Sequence, residues 1–432
     1  MHMLTGTSRN IDGALYIGGL PVKDLAGQYG TPLFVLDEEH IRHNCQQYRD
    51  AFCAGNRNRI AYAGKAMLTI AICQLIEEEG LYLDVVSGGE LYTALAAGFP
   101  SERIYFHGNN KSSVELSMAL DARVGTIVVD NLHELSLLDV LTRESNRKIA
   151  VLLRVALGVD AATHKYIQTG QHDSKFGFAI NSDELAYAVR FALSHDYIEL
   201  QGYHSHIGSQ IQALSGFAQA VEVMYNLVEK YMAAFGFVPA QLNFGGGLGI
   251  RYTEDEPDLT IVDLVSVVKK YAEAHNERLG IDPLLVLEPG RSIIGSAGMT
   301  LYSIGAVKEI KGIRTFVSVD GGMTDNPRPA LYGARYECAI ADKLNQPRTT
   351  LYSIAGKCCE SGDMLIWDAE LPPVSAGDIL AVFATGAYSF SMASNYNRLP
   401  RPAVVLVKDL EARVIVERET YADIIARDKP LR

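Results

Sequence analysis

From about residue 59 to residue 290, short apolar runs alternate with stretches in which apolar side chains return every three or four positions. The short runs predict β-strands at residues 60–63, 83–86, 104–106, 126–129, 150–155, 200–207, 241–244 and 284–287. The longer stretches predict amphipathic helices, and several mark their own starts. Ser87-Gly88-Gly89-Glu90 and Ser112-Ser113-Val114-Glu115 have the Ser-x-x-Glu form of a capping box, and Asn131 with Glu134 is a looser version. Eight strand–helix units in about 230 residues fit an α/β fold of the (β/α)8 TIM-like barrel type. Alternation alone leaves a doubly wound open sheet as the rival, because it does not report closure.

Beyond Gly290 the pattern changes. Strand-like segments at 316–319, 380–383 and 403–407 follow one another with Gly, Pro and Asn between them and few helical stretches. This predicts a mostly β second domain. The N-terminal segment, with Tyr16-Ile17 and a turn at Gly18-Gly19, falls outside the barrel count and is expected to join it. The expected division is a barrel over residues 37–290, with 1–36 and 291–432 forming the β domain.

Composition narrows the function without naming it. At 432 residues the chain is longer than one core usually serves. A formal net charge of −12 argues against nucleic acid or an anionic membrane as partner. No run of eighteen apolar residues and no basic-then-apolar leader is present, so a cytoplasmic protein is expected. Six scattered cysteines, at 45, 53, 73, 338, 358 and 359, fit reduced thiols.

In a barrel the working residues come from the C-terminal ends of the strands. Lys65, Asp84, His107, Arg154, His206, Gly245–Gly247 and Glu288 all fall there. A strand-end lysine is usually solvated, and a glycine triplet is usually a turn. On a barrel, however, the loops after the seventh and eighth strands often bind phosphate, and glycine lets backbone N–H groups approach an anion closely. Ser209 adds a hydroxyl donor. Lys65 beside such a cradle becomes a candidate covalent anchor for pyridoxal phosphate, with Glu288 as anionic partner of the pyridine nitrogen. The bland role for Glu288 is a salt bridge to Arg291. His204 and His206, two apart on a predicted strand, offer a zinc alternative, as in a barrel hydrolase. Their position on the sixth strand favours a histidine stacked on an aromatic cofactor, so no metal is expected.

With these residues in place the sequence resembles the diaminopimelate decarboxylases, fold-type III pyridoxal-phosphate enzymes related to ornithine decarboxylase. The marks are Tyr62-Ala63-Gly64-Lys65-Ala66, Asp84 to Glu90, His107-Gly108-Asn109-Asn110-Lys111, His204 to Gln210, Glu288-Pro289-Gly290-Arg291, Arg328-Pro329-Ala330-Leu331-Tyr332, Cys359-Glu360-Ser361-Gly362-Asp363 and Gly386-Ala387-Tyr388. Their order covers nearly the whole chain.

The resemblance implies that Lys65 holds the cofactor, with Asp84 nearby, His206 stacked on the ring and Glu288 on its nitrogen. Ser209, Gly245, Gly246, Gly247, Gly290 and Arg291 would take the phosphate, and Tyr388 would close over it. Arg291, Arg328 and Tyr332 would bind the distal carboxylate of the substrate, Glu360 its distal ammonium, and Cys359 would be the proton donor. Cys359 and Glu360 would come from the second subunit of a homodimer. Cys358, beside Cys359, leaves the choice of acid to the alignment. The alternatives are a decarboxylase of another substrate, such as a carboxylated polyamine or D-ornithine, and the zinc hydrolase.

Overall fold

Eight parallel strands close on themselves in the computed structural model, which describes residues 4–159 and 174–431. They are β1 (Arg59–Ala63), β2 (Tyr82–Val85), β3 (Ile104–Phe106), β4 (Thr126–Val129), β5 (Ile149–Ala156), β6 (Ile198–His204), β7 (Gln241–Asn243) and β8 (Leu284–Leu287). The ring is closed by β8 on β1, with Leu287 opposite Ile60, and by β4 on β5, with Ile127 opposite Val151. Closure removes the open-sheet rival.

The strands are short and apolar because both of their faces are covered. All four residues of β4 and all four of β8 are buried. Inside the ring Ala61, Tyr105, Val128, Leu152, Leu284 and Val286 form one cluster. Burial of a large apolar side chain of this kind stabilises by roughly 1.5–3 kcal/mol.

The caps follow the sequence with two adjustments. Ser112 and Glu115 form the full reciprocal capping box, and substitution of such a serine by alanine costs about 1 kcal/mol. Ser87 accepts from Glu90 N–H, but the Glu90 carboxylate reaches Val86 N–H at 2.7 Å and so grips the end of β2. Asn131 caps Glu134 N–H at 3.0 Å, while the Glu134 carboxylate turns inward to Lys111 at 2.8 Å. Glu90 thus takes the N–H one residue before the cap, and Glu134 takes a tertiary partner in place of a local one. The predicted sixth strand also ends early, at His204 instead of 207.

The chain divides into two compact units, Asn44–Ile250 with Asp258–Ser292, and Met1–His43 with Arg251–Pro257 and Ile293–Arg432. In the second unit the strand Leu33–Asp37 lies between two strands from the far end of the chain. It runs antiparallel to Gly298–Ile310 and parallel to Ala403–Lys408. The expected N-terminal hairpin is present: Ala14–Ile17 pairs with Leu20–Pro21 across Gly18 and Gly19, at φ +58° and +79°. Leu15 and Ile17 enter the same apolar core as Val405 and Val407. The overall architecture is a TIM-like barrel plus a mixed β domain from both ends of the chain. Among the described residues no helix is long and apolar enough to cross a membrane.

Candidate active site

Glu288 follows β8 directly and is buried, with its own N–H donating to Gly245 O at 2.7 Å. Its Oε1 accepts from Asn243 Nδ2 at 2.6 Å and lies 2.8 Å from His107 Nε2. Its Oε2 accepts from His204 Nε2 at 3.0 Å. Burial alone would raise this carboxyl, yet His107 and His204 hold it well below the ordinary carboxylate range. Burial lowers His204 to about 3, so its imidazole is neutral and acts as a donor toward Glu288. Asp84, 3.7 Å from His107 Nε2, is pushed up by burial against the pull of His107. Two carboxyls thus share one buried pocket, Glu288 held down by its histidines and Asp84 pushed up by burial.

Lys65 sits two residues past β1, in a 3₁₀ turn at Gly64–Ala66. The turn lies against the end of β2, where a Cβ on Gly64 would fall 3.0 Å from Asp84 O, and the Lys65 charge acts on Asp84, Glu90 and His206. His206 is half-buried beside the glycine triplet, with Gly246 N–H directed to its Nδ1 at 3.4 Å. Burial first, and then Lys65 and Arg154, keep its imidazole neutral.

The triplet is glycine for steric reasons. A Cβ on Gly245 would lie 2.6 Å from Ser205 O, on Gly246 2.0 Å from Glu288 O, and on Gly247 2.5 Å from Gly208 O. Gly245 and Gly247 also hold φ of +66° and +121°. Gly290 packs its bare Cα against the Cβ atoms of Ala63 and Ala66. Nearby, Arg291 Nη2 donates to Ser209 Oγ at 2.9 Å. The bland role for Glu288 is therefore replaced: Asn243 and two histidines take the carboxylate, and Arg291 turns to Ser209.

These residues fit pyridoxal phosphate. The cradle supplies bare backbone for a phosphate, Lys65 supplies the amine, and Glu288 supplies a fixed negative charge for a pyridinium. Asp84 Oδ1 and Ser205 Oγ are buried with no hydrogen-bond partner among the described residues, so the pocket retains polar atoms for a polar occupant. The strand alternation that paired His204 with His206 does not hold, because β6 stops at His204 and His206 lies beyond it. The atoms within ligation distance of one another belong to His107, His204 and Glu288 instead.

His107 and Asn243 gained no role from the sequence. Asn243 ends β7 and joins the cradle to the carboxylate, through Gly245 N–H at 2.8 Å and Glu288 Oε1. Its only signal in the sequence was its place just before the glycines.

The remaining candidates lie in the β unit. Arg328 opens a short helix, Arg328–Tyr332, and is buried. Its guanidinium lies over the Tyr252 ring at 4.9 Å and bonds the Tyr336 hydroxyl. Tyr332, one turn on, is half-buried, as is Tyr388, which holds φ +60°. Cys358 is half-buried, whereas Cys359 and Glu360 are exposed.

Comparison with known proteins gives the class first. Residues 38–295 match the family model "Pyridoxal-dependent decarboxylase, pyridoxal binding domain", which is the chemistry the barrel site fits. Over 99% of its length the chain is 53% identical to the diaminopimelate decarboxylase of Bacillus subtilis, 98% of which is covered. It superposes on the M. jannaschii diaminopimelate decarboxylase in complex with L-lysine with a TM-score of 0.92, at 37% identity and 98% coverage of both chains. The Helicobacter pylori enzyme with L-lysine gives 0.85 at 30% identity, covering 94% of this chain and 98% of the other. The chain belongs to the diaminopimelate decarboxylase family.

Proposed function

We propose that this chain removes the carboxyl group from the D-configured centre of meso-2,6-diaminopimelate, giving L-lysine and CO2, with pyridoxal phosphate as cofactor. The observation that carries the reading is Glu288, a buried carboxylate held ionised at the mouth of the barrel that also carries Lys65 and the glycine cradle.

The bound cofactor supplies an electron-accepting ring that takes up the electron pair left when the bond to the carboxylate carbon breaks. Lys65 would hold it covalently through its amine. Glu288 would offer a fixed negative charge to the ring nitrogen, and neutral His206 would face the ring without adding a competing charge. Ser209, Gly245, Gly246, Gly247, Gly290 and Arg291 receive the phosphate, Asp84 stands beside Lys65, and Tyr388 covers the cofactor.

Arg291, Arg328 and Tyr332 bind the second carboxylate of the substrate, where a guanidinium offers two aligned donors. Glu360 takes the distal ammonium. Cys359 gives a proton to the reacting carbon after CO2 has left. The working unit is a homodimer in which Cys359 and Glu360 of one subunit serve the barrel of the other, a reading supported by their exposure on the single chain. We place the reaction in the cytoplasm, where the six free cysteines stay reduced.

Purified protein supplied with cofactor should form lysine from the meso isomer and none from the L,L isomer. Equal turnover of both isomers would contradict the assignment of the reacting centre.

A further inference from the structure

We propose that Asp363 is a positioning residue, clamping the turn that carries Cys359 and Glu360, and that Cys358 belongs to this clamp instead of to the chemistry. The catalytic consequence rests on the reading of Cys359 as the proton donor; the clamp itself rests on geometry alone.

Asp363 is buried, and its two oxygens hold two separate strands of backbone. Oδ1 accepts Met323 N–H at 2.6 Å, and Oδ2 accepts Cys358 N–H at 2.8 Å. The main chain of the same residue closes the turn, donating to Glu360 O at 3.1 Å and accepting Gly356 N–H at 2.9 Å. The space for this carboxylate is made by two glycines. A Cβ on Gly322 would fall 2.4 Å from Oδ2, and one on Gly356 2.1 Å from it. No side chain at either position coexists with Asp363 where it stands.

The other side of the turn is fixed as well. Lys357 N–H donates to Gly321 O at 2.9 Å, and Cys359 N–H donates to Asn397 Oδ1 at 2.7 Å. Four consecutive backbone N–H groups, from 356 to 359, are therefore held, the Glu360 carboxylate folds back to accept Gly362 N–H at 3.2 Å, and Cys359 is exposed beside them. Cys358 is half-buried, and its N–H is one of the two held by the Asp363 carboxylate. Burial, and then the charge of Asp363, push its thiol up to about 11. The neighbouring thiols thus differ in exposure, Cys358 half-buried against the clamp and Cys359 exposed.

The test compares D363N, C358A, C359A and N397A as holoenzymes. Asparagine offers one acceptor oxygen where two N–H groups wait, so D363N loses one of the two anchoring bonds. Amide hydrogen exchange in peptides covering 356–363 should accelerate by about ten-fold or more in D363N, and kcat should fall by about ten-fold with a larger solvent isotope effect. The visible spectrum of the bound cofactor should not change, because the cofactor is held by barrel residues. C358A keeps every backbone bond of the turn and should retain kcat within about two-fold. N397A, a surface change, should loosen the turn in the same assay if D363N does not fold. Parental exchange in D363N, or in N397A where D363N does not fold, overturns the clamp whatever the activity. A C358A loss equal to that of C359A overturns the assignment of Cys358 to the clamp. Parental kcat in C359A overturns instead the reading of Cys359 as the acid.

Discussion

His204 donates from Nε2 to Glu288 Oε2 at 3.0 Å, and both side chains are buried. A neutral imidazole in this position stabilises an ionised carboxylate without competing with it for a pyridinium. Replacement of His204 by phenylalanine removes one donor from a buried charge, an interaction worth about 1.5–3 kcal/mol. We expect kcat to fall by about ten-fold to a hundred-fold and cofactor affinity to weaken, while H204Q, which keeps an N–H, retains most of both. Steady-state kinetics and cofactor titration read this directly. A phenylalanine variant with parental kcat and affinity would remove His204 from the support of Glu288.

Gly246 has the least room of the triplet, with an added Cβ falling 2.0 Å from Glu288 O. G246A must displace either the cradle or the carboxylate behind it. Cofactor affinity is expected to drop by about ten-fold or more while circular dichroism still reports a folded barrel. Unchanged affinity would show that the cradle lies outside the phosphate site.

The eight strand–helix units and the glycine cradle were legible in the sequence because each rests on local chemistry: eight apolar runs, Ser-x-x-Glu caps, and three glycines at a strand end; closure of the ring was not. Nor were the partners of Glu288. His204 and Asn243 face each other on the neighbouring strands β6 and β7, whereas His107 follows β3, and closure of the ring brings it to the same carboxylate. The strand alternation behind the zinc alternative was misread for a related reason. That alternative assumed two-residue alternation through His206, whereas the strand stops at His204 so that the chain can turn toward the glycines. Glu134 also looked like a local cap, but the tertiary partner Lys111 claims its carboxylate.

The resemblance makes Arg328 a substrate arginine, and the side chain is buried against Tyr252 and Tyr336. A lysine cannot reproduce its planar fork. R328K should therefore raise KM for diaminopimelate by about ten-fold or more, with kcat changed less. Parental KM in that variant would take Arg328 out of substrate binding.

Asp325 in the β unit gives a pH test of stability. Burial pushes its carboxyl up to about 7, although the Tyr302 hydroxyl, Gly322 N–H and Thr324 bond it. Between about pH 4 and 7 the folded protein keeps a proton there that the unfolded chain releases. This residue therefore costs stability increasingly as pH rises through that window, and the cost is relieved on acidification. Relative to D325N, which does not titrate, the parental protein should gain Tm between pH 7 and 5. A constant difference in Tm across that range would contradict the raised carboxyl.

The most direct test of the whole account is CO2 release from meso-diaminopimelate, L-lysine and L-ornithine, with and without added pyridoxal phosphate, in the parental protein and in K65A. The account predicts rapid release from diaminopimelate alone, dependent on the cofactor, and none in K65A. Comparable release from ornithine or lysine, or full activity in K65A, would contradict it.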